Sequence, residues 1–279
     1  MNIQTKASFK KEWLSYFRTQ RFLTIFLVIV GLAVLSPLML AGMGSLMDSM
    51  SDIYEEMGTD VSGMTEIISE TTSIGVTSAV ESVTGAALIV MIILLNRAAG
   101  GEQKRRAVIL PKSSGLRSFS YIFPKYIVYP VSAFLMTVVA ISASWAVSLF
   151  LFERNDVFAL NALLAGAIAG VHLMLYTCFH LTLGTATGRA GMSSAVCIAV
   201  SILLPTLLAF ADIDYMFNPF TLNTLASIVL RAKMLNGSVL LDISATVAFA
   251  IGIMVITCLI AVFAQNAKKI DNSGNEIEL

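Results

Sequence analysis

FLTIFLVIVGLAVLSPLMLAG, residues Phe22–Gly42, carries no charged side chain. The hydrocarbon core of a bilayer is about 30 Å thick, and a helix crosses it with about 20 apolar residues. Lipid offers the backbone no hydrogen-bond partner, so such a segment spans as a helix. It is longer than the apolar core of a secretory signal, and a long basic stretch precedes it, so it reads as a retained span.

Five further segments have the same character: Ile74–Leu95, with Glu81 near its start; Tyr126–Phe152; Ala159–Leu183, with His172 and His180; Met192–Phe210, with Pro205; and Ile243–Ala264. The 279 residues are 57% hydrophobic and 13% charged, with mean hydropathy +0.81. A soluble domain carries about a quarter charged residues. The reading is one all-α integral membrane domain with six transmembrane helices.

Charge placement orients it. Six spans put both termini on one side, which then holds Lys6, Lys10, Lys11, Arg18, Arg21, Arg97, Lys104, Arg105, Arg106, Lys112, Arg117, Lys125, Arg189, Lys268 and Lys269. The other side receives only Arg154, Arg231 and Lys233. Cytoplasmic loops carry the excess of Lys and Arg, so both termini are expected in the cytoplasm, with the loops after the second and fourth spans.

The remaining segments are amphipathic. Over residues 6–21, Phe9, Trp13, Tyr16 and Phe17 recur at helical spacing with Lys11, Arg18 and Arg21 opposite. This predicts a helix lying in the membrane interface. Residues 44–73 carry Asp48, Asp52, Glu55, Glu56, Asp60, Glu66 and Glu70 without a cation. Two short helices, broken near Gly58, are expected to extend the first two spans outward; their acids either form a solvated face or attract a cationic substrate. In residues 211–241, Phe217–Leu230 is apolar, interrupted by Asn218-Pro219 and too short to span, which predicts short re-entrant or external helices before the sixth span. Residues 265–279 read as a polar cytoplasmic tail.

Catalytic chemistry finds little support. There is no Gly-Lys pair, so a phosphate-binding P-loop is excluded. The three cysteines lie in separate apolar runs and read as buried small hydrophobes. His172 and His180, eight residues apart on a helix, are about 12 Å apart along its axis and cannot share a metal. No basic-aromatic patch points to nucleic acid. Ionisable groups at membrane depth are functional candidates by default. His172 serves either an interhelical hydrogen bond or the substrate path; Glu81 either lines an external vestibule or reaches the headgroups. Gly166-x-x-x-Gly170 and Gly184-x-x-x-Gly188 permit close helix approach.

The segment NRAAGGEQKRRAVILPKSSGLRSFSYIFPK, residues 96–125, is the one cytoplasmic loop large enough to dock a partner, with a short helix expected near Glu102–Ile109. The chain here resembles permease subunits of the ABC-2 type transporter family. The likeness is carried by KKEWLSYFRTQRF leading into the first span; by Glu102 followed by Lys104-Arg105-Arg106; by Leu110-Pro111, Gly115-Leu116 and Pro124-Lys125; and by Phe217-Asn218-Pro219-Phe220 before the last span. The resemblance implies a six-helix permease in a bacterial cytoplasmic membrane, paired with a second copy or a homologous permease. Each pair sits on two separately encoded ATPase subunits, which hold the ATP and Mg²⁺; this chain itself binds no cofactor. It implies that Glu102, Lys104, Arg105 and Arg106, with Gly188 and Arg189 in the loop Gly184–Gly191, lie at the ATPase contact. Export of a peptide, lipid or drug-like substrate is the expected function. A gradient-driven transporter or channel is the alternative, set back by the scarcity of ionisable groups at membrane depth.

Overall fold

The computed structural model describes residues 3–56, 71–102, 115–210, 218–232, 237–267, 269–270 and 276–277. Helix α1 covers Ile3–Arg18. Gln20 turns the chain with a positive φ of 60°, and α2 then runs unbroken over Arg21–Glu56. Helix α3 covers Thr72–Gly101 and includes π-helical turns at Val83–Ala87 and Arg97–Gly101. Helices α4 (Ser118–Leu151), α5 (Ala159–Thr187) and α6 (Ala190–Phe210) follow. A 3₁₀ turn at Pro219–Thr221 leads into the short α7 (Leu222–Arg231), and α8 covers Gly237–Ala267. Beyond it, Lys269–Ile270 and Glu276–Ile277 pair antiparallel. Helices α2, α3, α4, α5, α6 and α8 are each long and apolar enough to cross a membrane.

The spans fall where the sequence places them but are longer. Helix α4 begins eight residues before Tyr126 and passes through Pro124 and Pro130. Proline is tolerated at such depth because neighbouring helices satisfy the freed backbone groups. The first helix expected beyond span one is the uninterrupted end of α2, whose last turns carry Asp48, Asp52, Glu55 and Glu56. Asp60, Glu66 and Glu70 lie outside the described residues, as does most of the helix expected near Glu102–Ile109.

Helix α5 is the centre of the bundle: 67% of its most apolar window is buried, against 17% for α6 and 22% for α8. Its small residues explain this. Lipid tails are as apolar as leucine, so helices associate in a membrane through close packing and hydrogen bonds rather than hydrophobic transfer. A Cβ on Gly170 would stand 2.7 Å from the Phe134 ring, and one on Gly166 would meet the Val138 backbone at 3.3 Å. The first Gly-x-x-x-Gly is thus the seat of α5 on α4. The second divides its work. Gly184 packs on Ala99 of α3, where a Cβ would come within 2.6 Å of backbone. Gly188 ends the helix with φ 65°, its N–H donating to the Gly184 carbonyl at 3.0 Å.

At the end of the bundle opposite α1, the link 152–158 pins the start of α3. Asp156 accepts from the Ser73 N–H at 2.8 Å and the Ser73 hydroxyl at 2.6 Å. The Thr72 N–H donates to the Arg154 carbonyl at 3.1 Å. A carboxylate at a helix N-terminus satisfies orphan donors and favours the helix dipole.

Gly184→Ala is expected to destabilise the bundle by about 1–3 kcal/mol, because the new methyl meets backbone that cannot step aside. Gly31→Ala and Gly252→Ala, where a Cβ meets nothing within 4 Å, are expected to be neutral or slightly stabilising. Thermal unfolding of the three variants in one detergent separates the cases.

Candidate functional site

Helix α1 lies along α4 with two faces, and the division differs from the expected one. Phe9, Trp13 and Phe17 remain together and continue into α2: Trp13 meets Phe17 at 4.4 Å and Phe17 meets Phe22 at 4.4 Å, both with tilted rings, and Phe22 stacks on Phe26 at 6.2 Å. Trp13 is 48% exposed, as suits a ring at the edge of a membrane. Tyr16 departs from this face. It is buried with Thr5 and Glu12 on a second stripe, edge-on to Tyr129 at 5.0 Å. The reason is polar. The Thr5 hydroxyl meets that of Ser120 at 3.0 Å, Tyr129 donates to Glu12 Oε2 at 3.0 Å, and Ser132 donates to the Tyr16 hydroxyl at 3.2 Å.

Beneath this seam is Lys125, counted from sequence among the loop cations but only 3% exposed. An ammonium has three donors and no acceptor, and each donor is used. Lys125 Nζ donates to Glu102 Oε2 at 2.7 Å, to the Tyr121 hydroxyl at 3.0 Å and to the Ala98 carbonyl in the second π turn at 3.0 Å. Tyr121 donates in turn to Glu102 Oε2 at 2.6 Å. Lys11 of α1 reaches Glu102 Oε1 at 3.3 Å and Glu12 Oε1 at 3.4 Å. The charges therefore alternate, Glu12, Lys11, Glu102, Lys125, and cancel. Burial alone would raise the Glu102 pKa; the ammonium groups of Lys125 and Lys11 outweigh it and hold the carboxyl down at about 2.

This network joins the end of α3 to the start of α4 and to α1, and the same end of α3 touches the link between α5 and α6. A Cβ on Gly100 would stand 3.0 Å from the Ala190 backbone nitrogen and 3.1 Å from the Gly184 carbonyl. Ser194 donates to the Asn96 side chain. Of the residues expected at a partner contact, Glu102 follows two residues after Gly100, which packs against Gly184 and Ala190 on either side of the turn that holds Gly188 and Arg189; Arg189 is exposed, its N–H donating to Thr187 Oγ1 at 3.3 Å. Lys104, Arg105 and Arg106 lie outside the described residues.

Glu81 and His172 are not brought together. Glu81 is exposed and lines a cleft between α3 and α7. His172 is buried inside the bundle at 3% exposure, its ring 4.9 Å from that of Tyr176, and its Nδ1 makes no hydrogen bond. The expected interhelical hydrogen bond is not made at that atom.

Sequence reading missed Lys11, Glu12, Tyr121, Lys125 and Tyr129 as a site. One signal was there: Tyr121, Lys125 and Tyr129 recur at i, i+4 and i+8, which places a cation between two phenols on one helix face inside an apolar run. Its acidic partner is 23 residues earlier in the chain, and no periodicity reports that.

Breaking a buried pair from one side leaves an uncompensated charge, at a cost of about 3–5 kcal/mol. Lys125→Met is expected to lower stability by that order, and the double variant Lys125→Met with Glu102→Gln by clearly less; a double-mutant cycle by thermal unfolding reads the difference. The pH dependence has a definite sign. The Glu102 carboxyl has a lowered pKa, so its contribution is complete above the ordinary value of 4.5 and lost as pH falls toward about 2. Unfolding midpoints are expected to fall more steeply across that window in the native chain than in Glu102→Gln.

No protein-family model, curated protein or solved structure matches the chain.

Proposed function

We propose that this chain is the permease subunit of an ATP-binding cassette transporter, of the kind its sequence resembles. It works beside a second permease copy or a homologous chain, on two ATPase subunits that supply ATP and Mg²⁺. Both termini are cytoplasmic, in a bacterial cytoplasmic membrane; α1 lies in the inner interface, and α7 is a re-entrant segment on the outer side. The transported substrate is a peptide, lipid or drug-like molecule moved outward.

One observation carries the reading. Ala99 and Gly100, which lead directly into Glu102, lie at backbone distance from Gly184 and Ala190, within the loop Gly184–Gly191, although more than 80 residues separate them in sequence. A partner docked there would press on both at once. Pressure on the end of α3 passes through the Glu102–Lys125 pair to α4 and through Lys11 to α1. Pressure on the turn passes directly into α5, the helix at the centre of the bundle. These 279 residues carry no P-loop sequence, which fits a membrane domain driven by a separate ATPase. The wide apolar faces of α6 and α8, with Leu203, Leu207, Ile251 and Val255 about half exposed or more, offer area for lipid and for a second permease.

Gentle affinity purification of the chain from its native membrane is expected to recover a P-loop ATPase in stoichiometric amount. Replacing Lys104, Arg105 and Arg106 together by Glu is expected to weaken that association while leaving membrane insertion intact. A preparation without any nucleotide-binding partner, in a detergent that preserves such complexes, would overturn the proposal and put a gradient-driven transporter in its place.

A further inference from the structure

The cleft that holds Glu81 brings an acid and a base together without an ion pair between them, unlike the cleft along the α1 seam, where Lys11 and Glu12 lie 3.4 Å apart. Its volume is ≈ 270 Å³, and it is lined by Glu81, Asn223, Thr224, Ser227, Ile228 and Arg231. The other described cavities are lined largely by aliphatic and aromatic side chains or lie along the α1 seam. Here an acid and a base share one small space with an amide and two hydroxyls.

The geometry of α7 creates it. At its start, Phe220 lies 6.1 Å from Tyr176; at its end, the Ala232 carbonyl accepts from Asn161 Nδ2 at 2.8 Å. Tyr176 and Asn161 are 15 residues apart on α5, about 22 Å at 1.5 Å per residue, so α7 climbs from the middle of the bundle to the end opposite α1. Leu222, Leu225, Ala226, Val229 and Leu230 are buried against the bundle. Asn223, Thr224, Ser227 and Arg231, at i, i+1, i+4 and i+8, form the opposite face. Glu81 faces them from α3, about 13 Å along that helix from its start at Thr72, directly before the π turn Val83–Ala87.

Ionisable groups inside a membrane span, as Glu81 is on α3, are kept where they meet a partner, water or a ligand. Glu81 and Arg231 line the same cleft, yet they form no ion pair with each other or with any other described residue. A lone cation in the space would leave Arg231 uncompensated, and a lone anion would leave Glu81 so. The complement of a carboxylate and a guanidinium held apart is a group with both charges. The volume is just below the ~300–1,000 Å³ of sites for drug-sized molecules, which suits a small polar group.

We propose that this cleft binds a zwitterionic group, its ammonium on Glu81, its phosphate or carboxylate on Arg231, and its neutral atoms on Asn223, Thr224 and Ser227. The group is either the headgroup of a zwitterionic lipid or a free zwitterion such as a small peptide. This deepens the substrate-path reading of Glu81 but is tested without an ATPase, so it fails or stands apart from the transporter proposal.

The test is native mass spectrometry of the purified full chain in detergent, offered equal amounts of short-chain phosphatidylethanolamine and phosphatidylglycerol, with or without glycylglycine. The readout is headgroup preference, which general lipid adhesion does not set. One charge-assisted contact is worth about tenfold or more. The native chain is expected to retain phosphatidylethanolamine about tenfold over phosphatidylglycerol, or to bind glycylglycine in its place; the first outcome names lipid as the source and the second a solute. Glu81→Gln is expected to turn the preference toward phosphatidylglycerol, and Arg231→Gln to abolish retention of both lipids and of the peptide. Exchanging the two charges, Glu81→Arg with Arg231→Glu, is expected to restore the zwitterion preference. Both side chains are exposed, and size-exclusion profiles check that each variant folds. No zwitterion preference in the native chain, or a preference unchanged by Glu81→Gln and Arg231→Gln, overturns the proposal.

Discussion

An ammonium group buried among helices has to be met by three acceptors and a negative charge, or its helix cannot sit where it does. Lys125 imposes that condition near the start of α4. Meeting it brings the end of α3 close enough for Glu102 and the Ala98 carbonyl to accept, and turns Tyr121 to complete the ring. Glu102 then has an oxygen left over, which takes Lys11 and ties α1 to the same point. Three segments distant in the chain are thus located by one charge. Hydrogen-bonded charge pairs demand defined geometry, whereas apolar contacts between helices in lipid do not discriminate strongly among arrangements.

The second constraint is steric. Helix α5 carries glycine where other backbones come nearest: Gly166 and Gly170 against α4, Gly184 against α3. These contacts extend along nearly its full length. The helix therefore touches the junction beside Glu102 at one end and, through Asn161, the short helix α7 at the other. The charge network and the Glu81 cleft are connected through α3, which leads into Glu102 of the first and contributes Glu81 to the second, and through α5, which packs on the end of α3 at Gly184 and on α7 at Asn161. A displacement imposed at one end has a packed route to the other, since close-packed interiors transmit strain.

The two π turns of α3 fall at the two polar regions. One follows Glu81 and the other precedes Glu102. A π turn widens a helix by one residue and re-aims the side chains beyond it. In α3 the second exposes the Ala98 carbonyl to Lys125. The polar features of this helix lie beside departures from regular helical geometry, and sequence periodicity does not report such departures.

The sequence by itself determined the membrane class, the six spans and the amphipathic character of the first helix. These follow from local composition, because lipid leaves the backbone no alternative to a helix and 20 apolar residues declare themselves without reference to any other segment. It also marked Glu102 and the Gly188–Arg189 turn as candidates. Only the tertiary structure decided that Ala99 and Gly100, just before Glu102, pack against Gly184 and Ala190 on either side of that turn, that Lys125 is buried rather than a loop charge, that Tyr16 and Glu12 face the bundle, and that Arg231 stands opposite Glu81. Each is a pairing between residues 23 to 150 positions apart, and the energy that selects it, a compensated charge or a backbone contact at a glycine, exists only once both partners are in place.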